Sequence, residues 1–155
     1  MAGIVAGAPP AIDLAAESRL IEALLGLAGQ GLLASAHDLS DGGLAVTLAE
    51  CCFASAGLSA DVSVKTCERA ELGLFGESGA RAVVTLGRGD LARVLALAAQ
   101  YKVAVSEIGT VSRGPFRIQW NGKLLIGADV SLLRDAWAGA IERAILGQPG
   151  PGKKQ

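Results

Sequence analysis

Apolar residues Leu14, Ile21, Leu24, Leu25 and Ala28 recur at the spacing of one helix face, with Asp13 at the N-cap position and Gly31 at the end. Leu32 to Ala36 then reads as a short buried strand. Leu44 to Ala56 reads as a helix with few polar positions, chiefly Thr47, Glu50 and Ser55, which predicts burial on most sides. Leu58, Ala60, Val62 and Val64 alternate with Ser59, Asp61, Ser63 and Lys65, the pattern of a strand with one packed face. A helical turn is expected over Glu68 to Leu72. The polar loop Phe75 to Arg81 follows, and after it the continuous apolar run Ala82 to Leu86, of strand length.

The second half repeats this vocabulary. Asp90 opens a helix with Leu91, Val94, Leu95 and Ala98 on one face, and Val103 to Val111 reads as a strand after Lys102. Phe116, Ile118 and Trp120 alternate with Arg117 and Gln119 before Asn121-Gly122, a strong hairpin signal that returns the chain through Leu124 to Ile126. Ser131 stands where it could cap a last helix with Leu133, Trp137, Ile141 and Ala144 on its apolar face, closed by Gly147 and Pro149. Helices mixed with strands and one hairpin predict an α+β fold, a mixed and largely antiparallel sheet covered by helices. The expected organisation is an entry segment over 1–12, one domain over 13–147 and a flexible tail over 148–155.

Composition narrows the partners. The chain has 155 residues, 51% of them hydrophobic, enough for a substantial core and incompatible with disorder. A formal net charge of −1, with no basic run before the extreme C-terminus, argues against nucleic acid and anionic membrane as partners. The apolar stretches are interrupted well short of a bilayer span and no basic flank of a signal peptide precedes them, so a cytoplasmic chain is expected. Adjacent Cys51 and Cys52 and solitary Cys67 fit neither a zinc knuckle nor a disulfide framework, and read as buried or half-buried free thiols.

The candidate chemistry concentrates in Ala34-Ser35-Ala36-His37-Asp38-Leu39-Ser40-Asp41-Gly42-Gly43-Leu44, which holds the chain's only histidine. A strand, a polar turn and a helix N-terminus bring amides, carboxylates and an imidazole to one sheet edge, a place for a phosphorylated ligand. Asp38 and Asp41 would repel a bare phosphate there unless a cation intervened. The competing explanation is structural: Ser40 or Asp41 caps the helix, and His37 and Asp38 satisfy each other or nearby backbone. No nucleophile or orienting group stands at a spacing that would make His37 a general base. In the second polar loop Glu77, Ser78 and Arg81 offer a carboxylate, a hydroxyl and a guanidinium, suited either to a ligand or to hydrogen bonding within the loop.

The segments Ser35-Ala36-His37-Asp38-Leu39-Ser40-Asp41-Gly42-Gly43-Leu44-Ala45-Val46 and Leu48-Ala49-Glu50 resemble the carboxy-terminal domain of phosphoribosylformylglycinamidine synthase. Pro9-Pro10-Ala11-Ile12-Asp13-Leu14, Leu74-Phe75-Gly76-Glu77-Ser78 with Arg81, and Leu132-Leu133-Arg134-Asp135-Ala136-Trp137 agree in order and spacing. Aminoimidazole ribonucleotide synthase, selenide-water dikinase, thiamine-monophosphate kinase and a hydrogenase-maturation protein share looser versions. The resemblance implies an aminoimidazole-ribonucleotide-synthase-like domain of an enzyme that uses ATP, magnesium and glutamine to convert formylglycinamide ribonucleotide to its amidine. The implied partners are the remaining synthase domains or subunits and a glutaminase component. It further implies that nucleotide, magnesium and catalytic sites lie largely on domains this chain lacks, so that the chain alone is inactive. The residues placed toward a shared nucleotide or substrate cleft are His37, Asp38, Ser40, Asp41, Gly42, Gly43, Glu77, Ser78 and Arg81. Where the family's substrate-binding copy carries Glu-Ser-Gln, this chain has Glu77-Ser78-Gly79, which points to the less catalytic copy. The alternatives are a non-catalytic scaffolding or structural-nucleotide module, or a related superfamily member such as aminoimidazole ribonucleotide synthase, thiamine-monophosphate kinase or selenide-water dikinase.

Overall fold

The computed structural model describes residues 11–148; the expected entry segment up to Pro10 and the tail beyond Gln148 lie outside the described residues. The elements in chain order are α1 (Leu14–Gly29), β1 (Ser35–Asp38), α2 (Gly43–Phe53), β2 (Ser59–Val64), α3 (Ala70–Phe75) and β3 (Ala82–Thr85). A short 3₁₀ turn over Arg88–Asp90 leads into α4 (Leu91–Gln100), β4 (Gly109–Ser112), β5 (Phe116–Trp120), β6 (Lys123–Ala128), α5 (Val130–Ala138) and α6 (Ala140–Ile145).

The strands form a four-stranded sheet in the order β4-β2-β5-β6 and a separate two-stranded sheet, β1-β3. Only β2 and β5 run parallel, Val62 opposite Ile118, and every other pair is antiparallel. This is the mixed, largely antiparallel α+β arrangement expected from the pattern. The Asn121-Gly122 turn makes the β5–β6 hairpin with both residues at positive φ, 51° and 81°, as the short antiparallel connection requires.

The main core lies between the four-stranded sheet and α2. Phe116, Ile118 and Trp120 alternate inward from β5 and meet Ala60 and Val62 of β2 and Leu44, Ala45, Leu48 and Cys52 of α2. Ile118 is 0% exposed; burial of such a side chain stabilises by about 1.5–3 kcal/mol. A smaller core joins Leu27 of α1, Leu32 and Val94 of α4.

Several expected boundaries move, each for a physical reason. The first strand is Ser35–Asp38 rather than Leu32 to Ala36, because Leu32 is consumed by the helix stop: its N–H returns to the Leu27 carbonyl at 3.1 Å around left-handed Gly31. Over Val103 to Val111 only the end is strand, since β2 offers β4 pairing partners just for Gly109 to Ser112. The helical turn expected over Glu68 to Leu72 is α3, shifted to Ala70–Phe75. The final helix starts at Val130, with Asp129 rather than Ser131 at its N-cap, and is divided at Gly139. Arg143 crosses that joint and donates to the carbonyls of Asp135 and Ala136, satisfying the open end of α5.

Two predicted apolar faces stay open. α1 buries Ala23 and Leu27, whereas Leu14, Ile21 and Leu25 are exposed, because the helix is apolar on more than the one side that α4 covers. On the last two helices Leu133 packs against the core and Trp137 meets Phe53 at a 5.5 Å ring separation, but Ile141 is 75% exposed. Among the described residues no helix is long and apolar enough to cross a membrane.

The cysteines divide. Cys52 alone is buried, donating its thiol to the Leu48 carbonyl, and Cys51 and Cys67 are exposed, contrary to the expectation of three sheltered thiols. The face of α2 that carries Cys51 lies away from the sheet. Burial, then the neighbouring Cys51, pushes the Cys52 thiol above its ordinary range. The folded chain thus holds the Cys52 proton more tightly than the unfolded chain, so this stabilisation is complete below the unfolded thiol value, roughly pH 8.5, and is lost as pH rises through the higher folded value. A disulfide reagent at neutral pH should modify Cys51 and Cys67 in the native chain and reach Cys52 only on unfolding; rapid labelling of all three would contradict the packing.

Candidate functional site

Two polar segments far apart in sequence meet at one edge of the molecule. The first runs from β1 into α2. Gly42 is the N-cap of α2, left-handed at φ 80°, and no side chain caps the helix. Ser40 and Asp41 therefore do not serve as caps: the turn closes through the Gly43 N–H on the Ser40 carbonyl at 3.1 Å. The Gly42 N–H is instead met by Glu77 Oε1 at 2.9 Å, from a loop 35 residues away.

Gly43 explains why a second glycine follows. It too is left-handed, at φ 64°, and a Cβ there would stand 2.8 Å from the Gly76 carbonyl oxygen and 2.9 Å from that of Leu74. The start of α2 thus lies directly against the backbone that ends α3, a contact that only a residue without a side chain allows. The glycine pair is the docking point of one polar segment on the other.

His37 sits on β1 opposite Val83 of β3. Its Nδ1 is 2.7 Å from the Asp38 carbonyl oxygen, which can only accept, so the proton lies on Nδ1. The Asp38 carboxylate is 3.4 Å from the same nitrogen, and Nε2 faces Glu50 Oε2 of α2 at 3.9 Å. His37 and Asp38 do satisfy each other locally, and Glu50 is a neighbour that linear spacing did not reveal. Thr47, fully buried, donates to the same Asp38 carbonyl at 3.1 Å and ties β1 to α2.

The second segment leaves α3 at Gly76 and runs through Glu77 to Arg81 into β3. Arg81 donates to Ser78 Oγ at 3.3 Å, and its carbonyl accepts the Leu39 N–H at 3.1 Å. An open cleft of about 450 Å³ lies beside this junction, with His37, Asp38, Gly79, Ala80 and Arg81 on one side and Glu17, Leu20, Ile21 and Leu24 of α1 on the other. The structure thus brings His37, Asp38 and Arg81 to one cleft and joins Gly42 and Gly43 to the Glu77 loop. Ser40 and Asp41 are exposed on the turn between them. Glu17 is the participant that sequence reasoning missed, since a single half-buried glutamate in the first turn of a helix carries no local signal.

Among the described residues no three His, Cys, Asp or Glu side chains converge to hold a metal. Of the amides at this helix start, that of Gly42 is engaged by Glu77 and that of Gly43 by the Ser40 carbonyl. This edge is rich in hydrogen-bonding groups.

The fold is a mixed α+β one in which a left-handed Gly-Gly turn docks on a polar loop. The chain belongs to the AIR synthase related protein, C-terminal domain family, whose model matches residues 1–121. Within that family it is similar to the phosphoribosylformylglycinamidine synthase subunit PurL of Thermoanaerobacter pseudethanolicus, 38% identical over 140 residues that make up 90% of this chain and 19% of the relative. Among solved structures it is similar to Thermotoga maritima PurL complexed with ATP, at a TM-score of 0.70 and 28% identity, covering 79% of this chain and 22% of that one. It is likewise similar to the structure of PurLQS from the same organism, with a TM-score of 0.71, 26% identity, and 79% and 22% coverage. The chain spans about a fifth of the length of the relatives it matches.

Proposed function

We propose that this domain forms one wall of a cleft shared with the other domains of a phosphoribosylformylglycinamidine synthase, and that it does not turn over alone. The observation that carries this reading is the docking of the His37–Gly43 turn on the Glu77–Arg81 loop, at the edge of a chain that covers 19% of its relative's length. The complete enzyme would perform the ATP- and glutamine-dependent amidation of formylglycinamide ribonucleotide, with ATP and magnesium held mainly elsewhere and ammonia delivered by a glutaminase component. When bound, the nucleotide would supply the phosphoryl group that activates the amide oxygen. This chain's residues would shape the cleft: Arg81 offers a cation, Ser78 a hydroxyl, and His37 and Asp38 a hydrogen-bonding rim. The domain proper would run over 13–147.

A scaffolding contribution is the second reading, favoured by the exposed apolar stripe Leu14, Ile21 and Leu25 and by exposed Ile141 and Ile145. Both readings predict that the chain given ATP, ammonia, magnesium and formylglycinamide ribonucleotide yields no amidine. Adding the remaining synthase domains, expressed without this one, should restore synthesis. Replacing Arg81 with alanine in that reconstituted enzyme separates the readings: a raised KM at unchanged assembly supports the cleft wall, and unchanged kinetics supports the scaffold. Turnover by the chain alone would overturn both.

A further inference from the structure

We infer that Glu17 is a positioning residue that holds the Glu77–Arg81 loop from α1 and, through that loop, keeps Glu77 on the N-terminus of α2. Glu17 lies in the first turn of α1, half-buried, and its Oε1 accepts the Ala80 N–H at 2.5 Å across 63 residues of sequence. Ala80 is one of three non-glycine residues with positive φ among the described residues, at 54°, a conformation that costs an alanine about 1–2 kcal/mol. Loop closure alone leaves that cost unexplained. A charge-assisted hydrogen bond to its amide offsets it.

The residue before it supports the same assignment. A Cβ on Gly79 would stand 2.5 Å from Glu17 Oε1, so the carboxylate occupies the space that a side chain at 79 would need. Among the described residues the Glu17 carboxylate makes no ion pair, and the Ala80 amide is its hydrogen-bond partner.

The loop is therefore clasped at both ends by carboxylates working in opposite directions. Glu17 comes in from α1 to Ala80, and Glu77 goes out to Gly42. Just past Ala80 the Arg81 carbonyl accepts the Leu39 N–H, and the Arg81 side chain reaches back to Ser78 Oγ, which lies between the clasps. Release of Ala80 lets the turn relax toward negative φ and withdraws Glu77 from Gly42. This assignment rests on the proposed cleft only for its functional meaning, since the coupling itself belongs to the folded chain.

Amide hydrogen exchange of the 155-residue chain tests it. Glu17→Ala should accelerate exchange about tenfold or more at both Ala80 and Gly42 and leave Val94 and Ala98 protected. Glu17→Gln, which retains an acceptor oxygen, should restore most of the protection. In a Glu77→Ala background Glu17→Ala should change Gly42 no further, the signature of a shared path. Loss confined to Ala80, or equal loss at Val94 and Ala98, would overturn the assignment. If Glu17→Ala does not fold, Glu17→Asp, one methylene shorter, should show the same paired loss, and a wild-type Gly42 in that variant would also overturn it. Reconstituted synthase carrying Glu17→Ala then addresses the cleft separately: coupled exchange with unchanged kcat/KM keeps the positioning role and removes the proposed cleft function.

Discussion

Replacing Gly43 with alanine should destabilise the chain by about 2–5 kcal/mol and lower its melting temperature by roughly 10 °C. Two costs combine. A left-handed backbone costs an L-residue about 1–2 kcal/mol, and forcing a methyl group into close-packed atoms costs a further 1–3 kcal/mol or so. The atoms in the way are the Gly76 and Leu74 carbonyl oxygens and the Phe75 carbonyl carbon, at 2.8–2.9 Å, and all belong to backbone that cannot rotate aside. Gly31→Ala provides the control. Gly31 has nearly the same φ, 65°, with nothing within 4 Å of its would-be Cβ, so only the dihedral cost applies there. Thermal melts of both variants resolve the difference. Equal melting temperatures would mean that the turn does not rest on the loop as the structure shows.

The second large effect lies at the back of α3. Gly73 is buried under the Trp120 indole, and a Cβ at 73 would overlap ring atoms Cη2 and Cζ2. Trp120 is only 6% exposed and its Nε1–H donates to the Glu68 carbonyl at 3.2 Å, so the ring has little freedom to withdraw. Trp120→Ala should cost about 3–5 kcal/mol, and Gly73→Ala about 2–3 kcal/mol through displacement of the ring. The double variant carries the sharper expectation. Without the indole the nearest atom left is Glu68 Oε2 at 3.0 Å, the end of a side chain that can swing aside, and alanine exceeds glycine in helix propensity by about 1 kcal/mol, so Gly73→Ala should become neutral or stabilising in the Trp120→Ala background. Urea denaturation of the four chains gives this cycle. A Gly73→Ala cost that persists in the double variant would show that some other contact excludes a side chain at 73.

These positions show where sequence reasoning reached and where it stopped. Asp13 was legible as a cap because the interaction is local: its Oδ1 accepts the amides of Ala15 and Ala16 at 3.0 Å, within one turn. The hairpin at Asn121-Gly122 was legible for the same reason. Ser40 and Asp41 looked equally like caps, yet the α2 amide goes to Glu77, a partner that no window of neighbouring residues contains. Asp90 sits at the N-cap of α4 in a helical conformation and makes no capping bond, pairing with Arg93 at 3.2 Å instead.

The candidate site follows the same division. The Gly-Gly pair and the Glu77 loop each stood out as polar interruptions between apolar runs, and the family resemblance rested on them. That they touch, that Gly43 must lack a side chain because Gly76 lies against it, and that Glu17 reaches Ala80 from α1 are facts of three dimensions.

By itself the sequence determined the alternation of helices and strands, the apolar partners of the main core and the two motifs by which the domain is classed, because these rest on periodicities of a few residues. Tertiary structure decided which group meets the Gly42 amide at the start of α2, which face of α1 is covered, and how the two polar segments clasp one another. Those outcomes depend on contacts across 35 and 63 residues, whose energies are set by where the packed sheet and helices deliver each side chain.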